Sequence, residues 1–317
     1  MTQALRLSLI VPVLNEEATI ASFLEESGAA LDQAIALMPE GSEAEWVFVN
    51  DGSTDATEVV LTTRAQDDAR IKLVNLSRNF GKEAALAAGL DHATGDAVIP
   101  IDVDLQDPPE VIIEMVQAWL DGAQVVNARR VDRSTDSLSK RLSSSWFYKL
   151  YNRIADQPIP ENVGDFRLLG KRAVDVIRQL PEQSRFNKGL FNWVGFKVVT
   201  VDYERAARSA GTSKWRPWKL WNLALDGITA STTMPLRIWT YVGATIAALA
   251  FLYALFVVVY TLILGADTPG FASIMVAVLG LGGLQLLSLG IMGEYVGRIS
   301  TEVRGRPLYV VASTVGF

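Results

Sequence analysis

The sequence predicts an α/β protein: a doubly wound, mostly parallel sheet domain followed by a C-terminal two-helix transmembrane hairpin. Three observations predict it. Short apolar runs alternate with segments of helical periodicity through the N-terminal part of the chain. Acidic and polar residues collect where those runs end. The stretch 238–293 contains a single charged residue, Asp267.

The elements follow in order. LSLIVPVL reads as a buried strand, and NEEATIASFLEESGAALDQAIALM as a helix with apolar residues at helical spacing. EWVFVND is a second strand, with a helix from Ser53 or Asp55, and IKLVNLS is a third. GKEAALAAGLDHAT is a helix closed by Gly95. DAVIPIDVD is a fourth strand, PPEVIIEMVQAWLDG the helix after it, and QVVNARR a fifth strand. Strands alternating with helices build a parallel sheet covered on both faces, and such sheets bind ligands at the carboxyl ends of their strands.

The composition fits two unlike parts. The 317 residues are 50% hydrophobic and 20% charged, with a net charge of -6. The mean hydropathy is +0.22, too apolar for an ordinary acidic soluble protein and too polar for a chain of many membrane spans. Zero Cys excludes disulfides, thiolate metal sites and cysteine nucleophiles, and one His excludes multi-histidine metal sites. That residue, His92, sits at the end of its helix remote from the strand carboxyl ends and reads as a packing residue. The acidic balance argues against nucleic acid as a partner.

The apolar runs 238–264 and 271–292 would reach about 40 Å and about 33 Å as helices, enough to cross a hydrocarbon core of roughly 30 Å. Arg237 precedes the first, while Arg298, Arg304 and Arg306 follow the second; the connecting GADTPG has no Lys or Arg. The positive-inside rule then places both termini in the cytoplasm of an inner-membrane protein. The run 7–14 contains Pro12 and leads straight into Asn15-Glu16-Glu17, which does not fit a signal peptide. Glycines at 280, 282, 283 and 290 suggest close helix packing and a homo-oligomer. Before the hairpin, Trp215, Trp218 and Trp221 recur among Lys214, Arg216 and Lys219, the composition of an interfacial amphipathic helix. The stretch 146–151, WFYKLY, is either a second surface helix or core.

Chemistry-bearing residues gather at the strand ends. The first strand ends in Pro12, Val13, Asn15 and Glu16, and the second in Asp51. The fourth ends in Asp102-Val103-Asp104-Leu105-Gln106. Alternation points Asp102 and Asp104 to one side. With Gln106 they make a hard oxygen set suited to Mg2+ or Mn2+, the usual partners of a pyrophosphate.

The segments PVLNEE, VNDGSTDAT, LSRNFGKEAALAAGL, DVDLQDPPE and GDFRLLGKRAV, with the ending GEYVGRISTEVRGRPLYVV, resemble the family-2 glycosyltransferases of GT-A fold. More narrowly they are similar to the polyprenyl-phosphate glycosyltransferases, on the bacterial bactoprenol glucosyltransferase branch. The resemblance implies an inverting transfer of a sugar, glucose from UDP-glucose as first guess, from a nucleotide donor to undecaprenyl phosphate. It implies Pro12, Val13, Asn15, Glu16, Asp51 and Asp102 around the nucleotide, with Asn79, Gly81 and Lys82 in the loop beside it. Asp102, Asp104 and Gln106 would hold the metal. Asp165, Asp104, Arg129 and Arg130 would be catalytic, and Arg205, Arg208, Ser213 and Lys214 would face the donor and lipid phosphates. The segment 161–190 is expected to shape the sugar pocket.

The implied division is a GT-A domain over 1–210, a juxtamembrane helix region over 211–235, two membrane helices within 236–294, and a cytoplasmic tail over 295–317. Three other readings fit less well. A processive polysaccharide synthase would carry Q-x-x-R-W, which is absent here. A non-enzymatic scaffold would have lost the acidic strand ends. A soluble nucleotidyltransferase leaves both apolar runs unexplained.

Overall fold

The computed structural model describes residues 3–131, 152–153, 160, 162–180, 182–183, 187–204, 232–264 and 270–317. The elements run β1 (Arg6–Val13), α1 (Ile20–Ala36), β2 (Glu43–Asn50), α2 (Thr57–Asp67), β3 (Ile71–Leu76), α3 (Lys82–His92), β4 (Ala97–Pro100), α4 (Val111–Leu120) and β5 (Val125–Arg130). They continue with β6 (Val163–Gly170), α5 (Lys171–Arg178), α6 (Asn187–Trp193), β7 (Val198–Tyr203), α7 (Met234–Leu264), α8 (Phe271–Arg304) and β8 (Val311–Val315). The strands form one sheet in the order β7-β5-β6-β4-β1-β2-β3-β8.

The parallel block β3-β2-β1-β4 agrees with the sequence expectation. Its strands are continuous apolar runs because both faces are covered. Leu7, Leu9 and Val11 of β1 join Phe23, Trp46 and Phe48 in one core layer. Ile10 joins Val47, Val49, Val98 and Leu86 in the other. Helix α1 supplies Ile20, Phe23, Ser27, Ala30, Leu31 and Ala34, a stripe at helical spacing. Helix α3 is buried from Ala84 to Leu90 and is built of small residues. That lets it lie close to the sheet: a Cβ on Gly89 would collide with the Ile10 side chain.

The structure departs from the sequence expectation in four places. Strand β4 ends at Pro100, so Asp102 and Asp104 stand in the loop beyond it. Proline has no amide to continue the ladder, and Pro100 is the last β4 residue registered with β1. Strand β6 inserts antiparallel between β4 and β5, making the sheet mixed. Helix α2 begins at Thr57, and Asp55 Oδ1 accepts the Thr57 amide at 3.1 Å. The segment 295–317, expected only as a tail, carries regular structure. Helix α8 runs on to Arg304, Gly305 turns the chain with a positive φ of 56°, and β8 pairs antiparallel with β3.

This return is well anchored. Asn75 Nδ2 donates to Ser313 Oγ at 3.0 Å, the Ser77 amide to the Val310 carbonyl at 2.8 Å, and Tyr309 Oη to Asp91 at 2.7 Å. The Phe317 ring lies 5.7 Å from His92 and 5.2 Å from the Lys72 ammonium. His92 therefore packs at the end of the sheet away from the acidic loops, as its position in the sequence suggests.

At that same end Glu45 is buried within a polar cluster. It accepts from Ser8 Oγ at 2.5 Å and from the Thr94 amide at 2.7 Å, and pairs with Lys72 at 2.8 Å. Burial pushes its carboxyl up, but the Lys72, Ser8 and Thr94 bonds together hold it below the ordinary 4.5. A carboxyl depressed in the folded state stabilises above its unfolded pKa, and that stability is lost as pH falls through the folded value. The melting temperature is therefore expected to drop steeply below about pH 4.5 in the native chain. Thermal melts of Glu45→Gln should show a lower but flatter profile there; an unchanged slope would exclude Glu45 as the source.

Helix α7 spans 31 residues, and its segment Leu236–Tyr260 has a mean hydropathy of 2.5 with none of its most apolar window buried. Among the described residues it is the one helix long and apolar enough to cross a membrane. Its surface carries Tyr241, Phe251, Tyr253 and Leu262, all exposed. Tyr295 Oη of α8 donates to the Thr232 carbonyl just before α7 at 2.8 Å, tying the helix pair at one end.

Candidate active site

Four loops meet at the carboxyl ends of β1, β2, β3 and β4. The first two are stapled to each other. Asn15 takes a left-handed φ of 57°, its amide donates to Ser53 Oγ at 2.9 Å, and its side-chain carbonyl accepts the Thr54 amide at 2.7 Å. The Glu16 amide donates to Thr57 Oγ1 at 2.9 Å. Asn15 and Glu16 thus hold loop shape, with Pro12 and Val13 paired to β2 beneath them.

Asp51 is buried and braces the third loop. Its two oxygens accept the amides of Phe80 and Gly81 at 2.7 and 2.9 Å. Burial pushes its carboxyl above the ordinary value of 3.8, against those two bonds and the charge of Arg78. Gly52 makes the approach possible: its φ is +73°, and a Cβ there would fall 2.6 Å from the backbone of Arg78 and Asn79. Asn79, Gly81 and Lys82 are fixed by this bracing at the start of α3.

The fourth loop bears the acids. Val103 and Leu105 sink into the core while Asp102, Asp104 and Gln106 stay partly exposed on the other side. Burial therefore alternates residue by residue past the end of β4, although the backbone there turns instead of continuing as a strand. Leu105 has a left-handed φ of 53°, and the Gln106 amide donates to Asp104 Oδ1 at 3.2 Å, closing a tight turn. Farther on, Asp107 is buried and accepts from Tyr203 Oη at 2.6 Å.

Strand β6 brings Asp165 to this loop. The Lys82 ammonium lies 2.7 Å from Asp102 and 3.2 Å from Asp165, bridging the two carboxylates. Burial lowers the lysine pKa, but the two carboxylates outweigh it and hold Lys82 above its usual value. A small cleft is lined by Leu86, Pro100, Ile101, Asp102, Asp107, Asp165 and Phe166. Behind it Arg167 is buried, donates to the Gly164 carbonyl at 2.6 Å and stacks 4.8 Å over Phe191.

The expected residues divide as follows. Asp102, Asp165 and Lys82 come together, with Asp104 and Gln106 on the same loop as Asp102. Arg129 pairs instead with Asp202 of β7, through bonds of 2.7 and 2.8 Å on the exposed surface. Arg130 follows it on β5, its amide bonded to the Asn162 carbonyl. Arg205, Arg208, Ser213, Lys214, the tryptophan-rich segment and residues 146–151 lie outside the described residues. Asp107 and Tyr203 were not anticipated; the signal for Asp107 was its place in the acidic run, but nothing local marks its partner on β7.

Among the described residues no three carboxylate or histidine side chains converge as a closed metal cage. The donor set of Asp102, Asp104 and Gln106 still fits a hard divalent ion. Such ions are commonly held by one or two carboxylates and complete their shell with water and substrate phosphates.

Comparison with known proteins places the chain in a family. The model for glycosyl transferase family 2 matches residues 8–178, and that for the GtrB C-terminal hairpin matches residues 234–299. The chain is 50% identical over 307 residues to an SfII prophage-derived bactoprenol glucosyl transferase of Shigella flexneri, covering 97% of both chains. It is 48% identical over 307 residues to a prophage bactoprenol glucosyl transferase homolog of Escherichia coli K12, covering 97% of this chain and 98% of the relative. Among solved structures, mannosyl-3-phosphoglycerate synthase from Rubrobacter xylanophilus is similar in fold, with TM-score 0.51 and 19% identity over 71% of this chain and 72% of that one. The sheet, its acidic loop and the helix pair that follows belong together: the chain is a member of glycosyl transferase family 2, of the group that carries the GtrB C-terminal hairpin.

Proposed function

We propose that the protein transfers a sugar, glucose from UDP-glucose, to undecaprenyl phosphate at the cytoplasmic face of the inner membrane. The observation that carries this reading is the convergence of Asp102, Asp165 and Lys82 beside the Asp104 turn, in a chain that continues into a charge-poor helix pair. The names of the relatives supply the bactoprenol acceptor and the glucosyl group.

The acceptor phosphate is already anionic near neutral pH, since its second ionisation falls near 6. It attacks the anomeric carbon from the face opposite the leaving group. The bond from that carbon to the diphosphate breaks as the new carbon–oxygen bond forms, giving inversion. No strong base is needed, so Asp165 serves to orient the acceptor and to stabilise positive charge at the sugar. A divalent metal, Mg2+ or Mn2+, held by Asp102, Asp104 and Gln106 would neutralise the departing diphosphate. Arg129, Arg130, Arg205, Arg208, Ser213 and Lys214 are proposed to meet the donor and lipid phosphates; for Arg129 this requires release from Asp202.

The β3–β8 pairing supports the topology. It keeps the end of α8 beside the sheet domain, as an even number of crossings by α7 and α8 demands. The Arg-rich flanks favour the cytoplasm for that side. For the homo-oligomer, Cβ atoms built at Gly280, Gly282, Gly283 and Gly290 meet nothing within 4 Å, which leaves room on α8 for another helix.

The test is a donor panel. Full-length protein with Mg2+ or Mn2+, undecaprenyl phosphate and a set of nucleotide sugars should yield lipid-linked glucose from UDP-glucose. A lipid-linked product from another donor alone corrects the sugar; no product from any donor overturns the reading.

A further inference from the structure

Lys82 stands where a metal ion would be expected to approach. Its ammonium lies 2.7 Å from Asp102 Oδ1 and 2.8 Å from Oδ2, so it covers both oxygens of that carboxylate, and it touches Asp165 as well. The backbone beneath it is locked by Asp51 and by the close approach at Gly52. The side chain itself is 43% exposed, and the contacts of its ammonium are to the two carboxylates. It is the part of this arrangement that can swing.

A second cation brought to Asp102 must displace this ammonium or sit against it, and like charges a few ångströms apart repel strongly. A diphosphate changes that balance, because it offers the ammonium another anionic partner. We propose that Lys82 is a resident counter-ion that closes the Asp102 side of the metal site until the donor arrives. Metal alone binds poorly; metal with nucleotide binds well, because the diphosphate draws the ammonium away. This rests on the reading that Asp102 and Asp104 hold the metal.

The experiment is equilibrium dialysis of Mn2+ against the full-length protein, with and without UDP, scoring metal retained with protein. The native chain should retain Mn2+ at least tenfold more tightly with UDP. In Lys82→Gln and Lys82→Met the nucleotide-free affinity should rise at least tenfold, about 1.4 kcal/mol, and the UDP dependence should largely vanish. Lys82→Arg should behave like the native chain. Arg78→Gln should do the same, since it removes a nearby cation that stacks on Phe80 and donates to the Asn79 carbonyl, without pairing to Asp102. Equal nucleotide-free affinity in the native chain and both Lys82 variants, at native-like melting temperatures, would overturn the gate while leaving the metal site standing. Absence of Mn2+ binding in all of them, UDP present or not, would overturn both.

Discussion

Asp104→Ala is expected to lower kcat by about a hundred- to a thousandfold, the size of effect seen when one transition-state charge stabiliser is removed. The substitution should disturb the fold only at the Leu105 turn. Asp104 is partly exposed, and its neighbours Val103 and Leu105 anchor the loop in the core on the other side. Loss of the Gln106 amide bond that closes the turn should cost about 1 kcal/mol, a fall in melting temperature of about 2–4 °C. The combination matters: a fall in turnover far larger than this small loss of stability identifies a chemical role. Steady-state assays over a Mn2+ titration check it. Retention of native turnover at all metal concentrations would remove Asp104 from the metal site.

Removal of residues 306–317 should have the largest effect on stability. It deletes β8, the Ser313–Asn75 and Tyr309–Asp91 bonds, and the Phe317 ring over Lys72. Lys72 is also the partner of buried Glu45, so the loss propagates to the polar cluster at the base of the sheet. Several kcal/mol at about 2–4 °C each for a domain of this size predicts a fall in melting temperature of roughly 10 °C. The deletion also bares the β3 edge, a template for pairing between chains. Size-exclusion chromatography should show association beyond that of the full chain. A truncated chain that melts and elutes like the native one would show that β8 contributes little.

What the sequence reveals and what it hides divides by range. The parallel block was legible because each strand is a local apolar run with a helix behind it. The acidic loop was legible because its alternation, Asp102, Asp104 and Gln106 against Val103 and Leu105, is written in consecutive residues. The position of β6 was not: a strand that inserts between two others carries no local mark of its neighbours, and GDFRLLG was read as a motif alone. The same holds for β8, whose partner Asn75 is 238 residues away. The Lys82 bridge to Asp102 and Asp165 joins three separate segments, so each residue could be nominated but not their contact. The resemblance gives Arg129 to the phosphates, and the bidentate partner it has here, Asp202, becomes visible only when β5 and β7 are aligned in parallel.

The late arrival of β8 has a consequence for how the protein is made. During synthesis β3 emerges long before the strand that will cover its edge, by on the order of tens of seconds at ribosomal rates of about 5–20 residues per second. On the proposed topology the helix hairpin enters the bilayer in that interval, while the edge stays open. A nascent chain in which only one helix of the hairpin crosses carries β8 to the far side and cannot close its own sheet. Correct insertion and completion of the catalytic domain are thus joined in one event, and a wrongly inserted copy displays an open edge to the cell's proteases and chaperones.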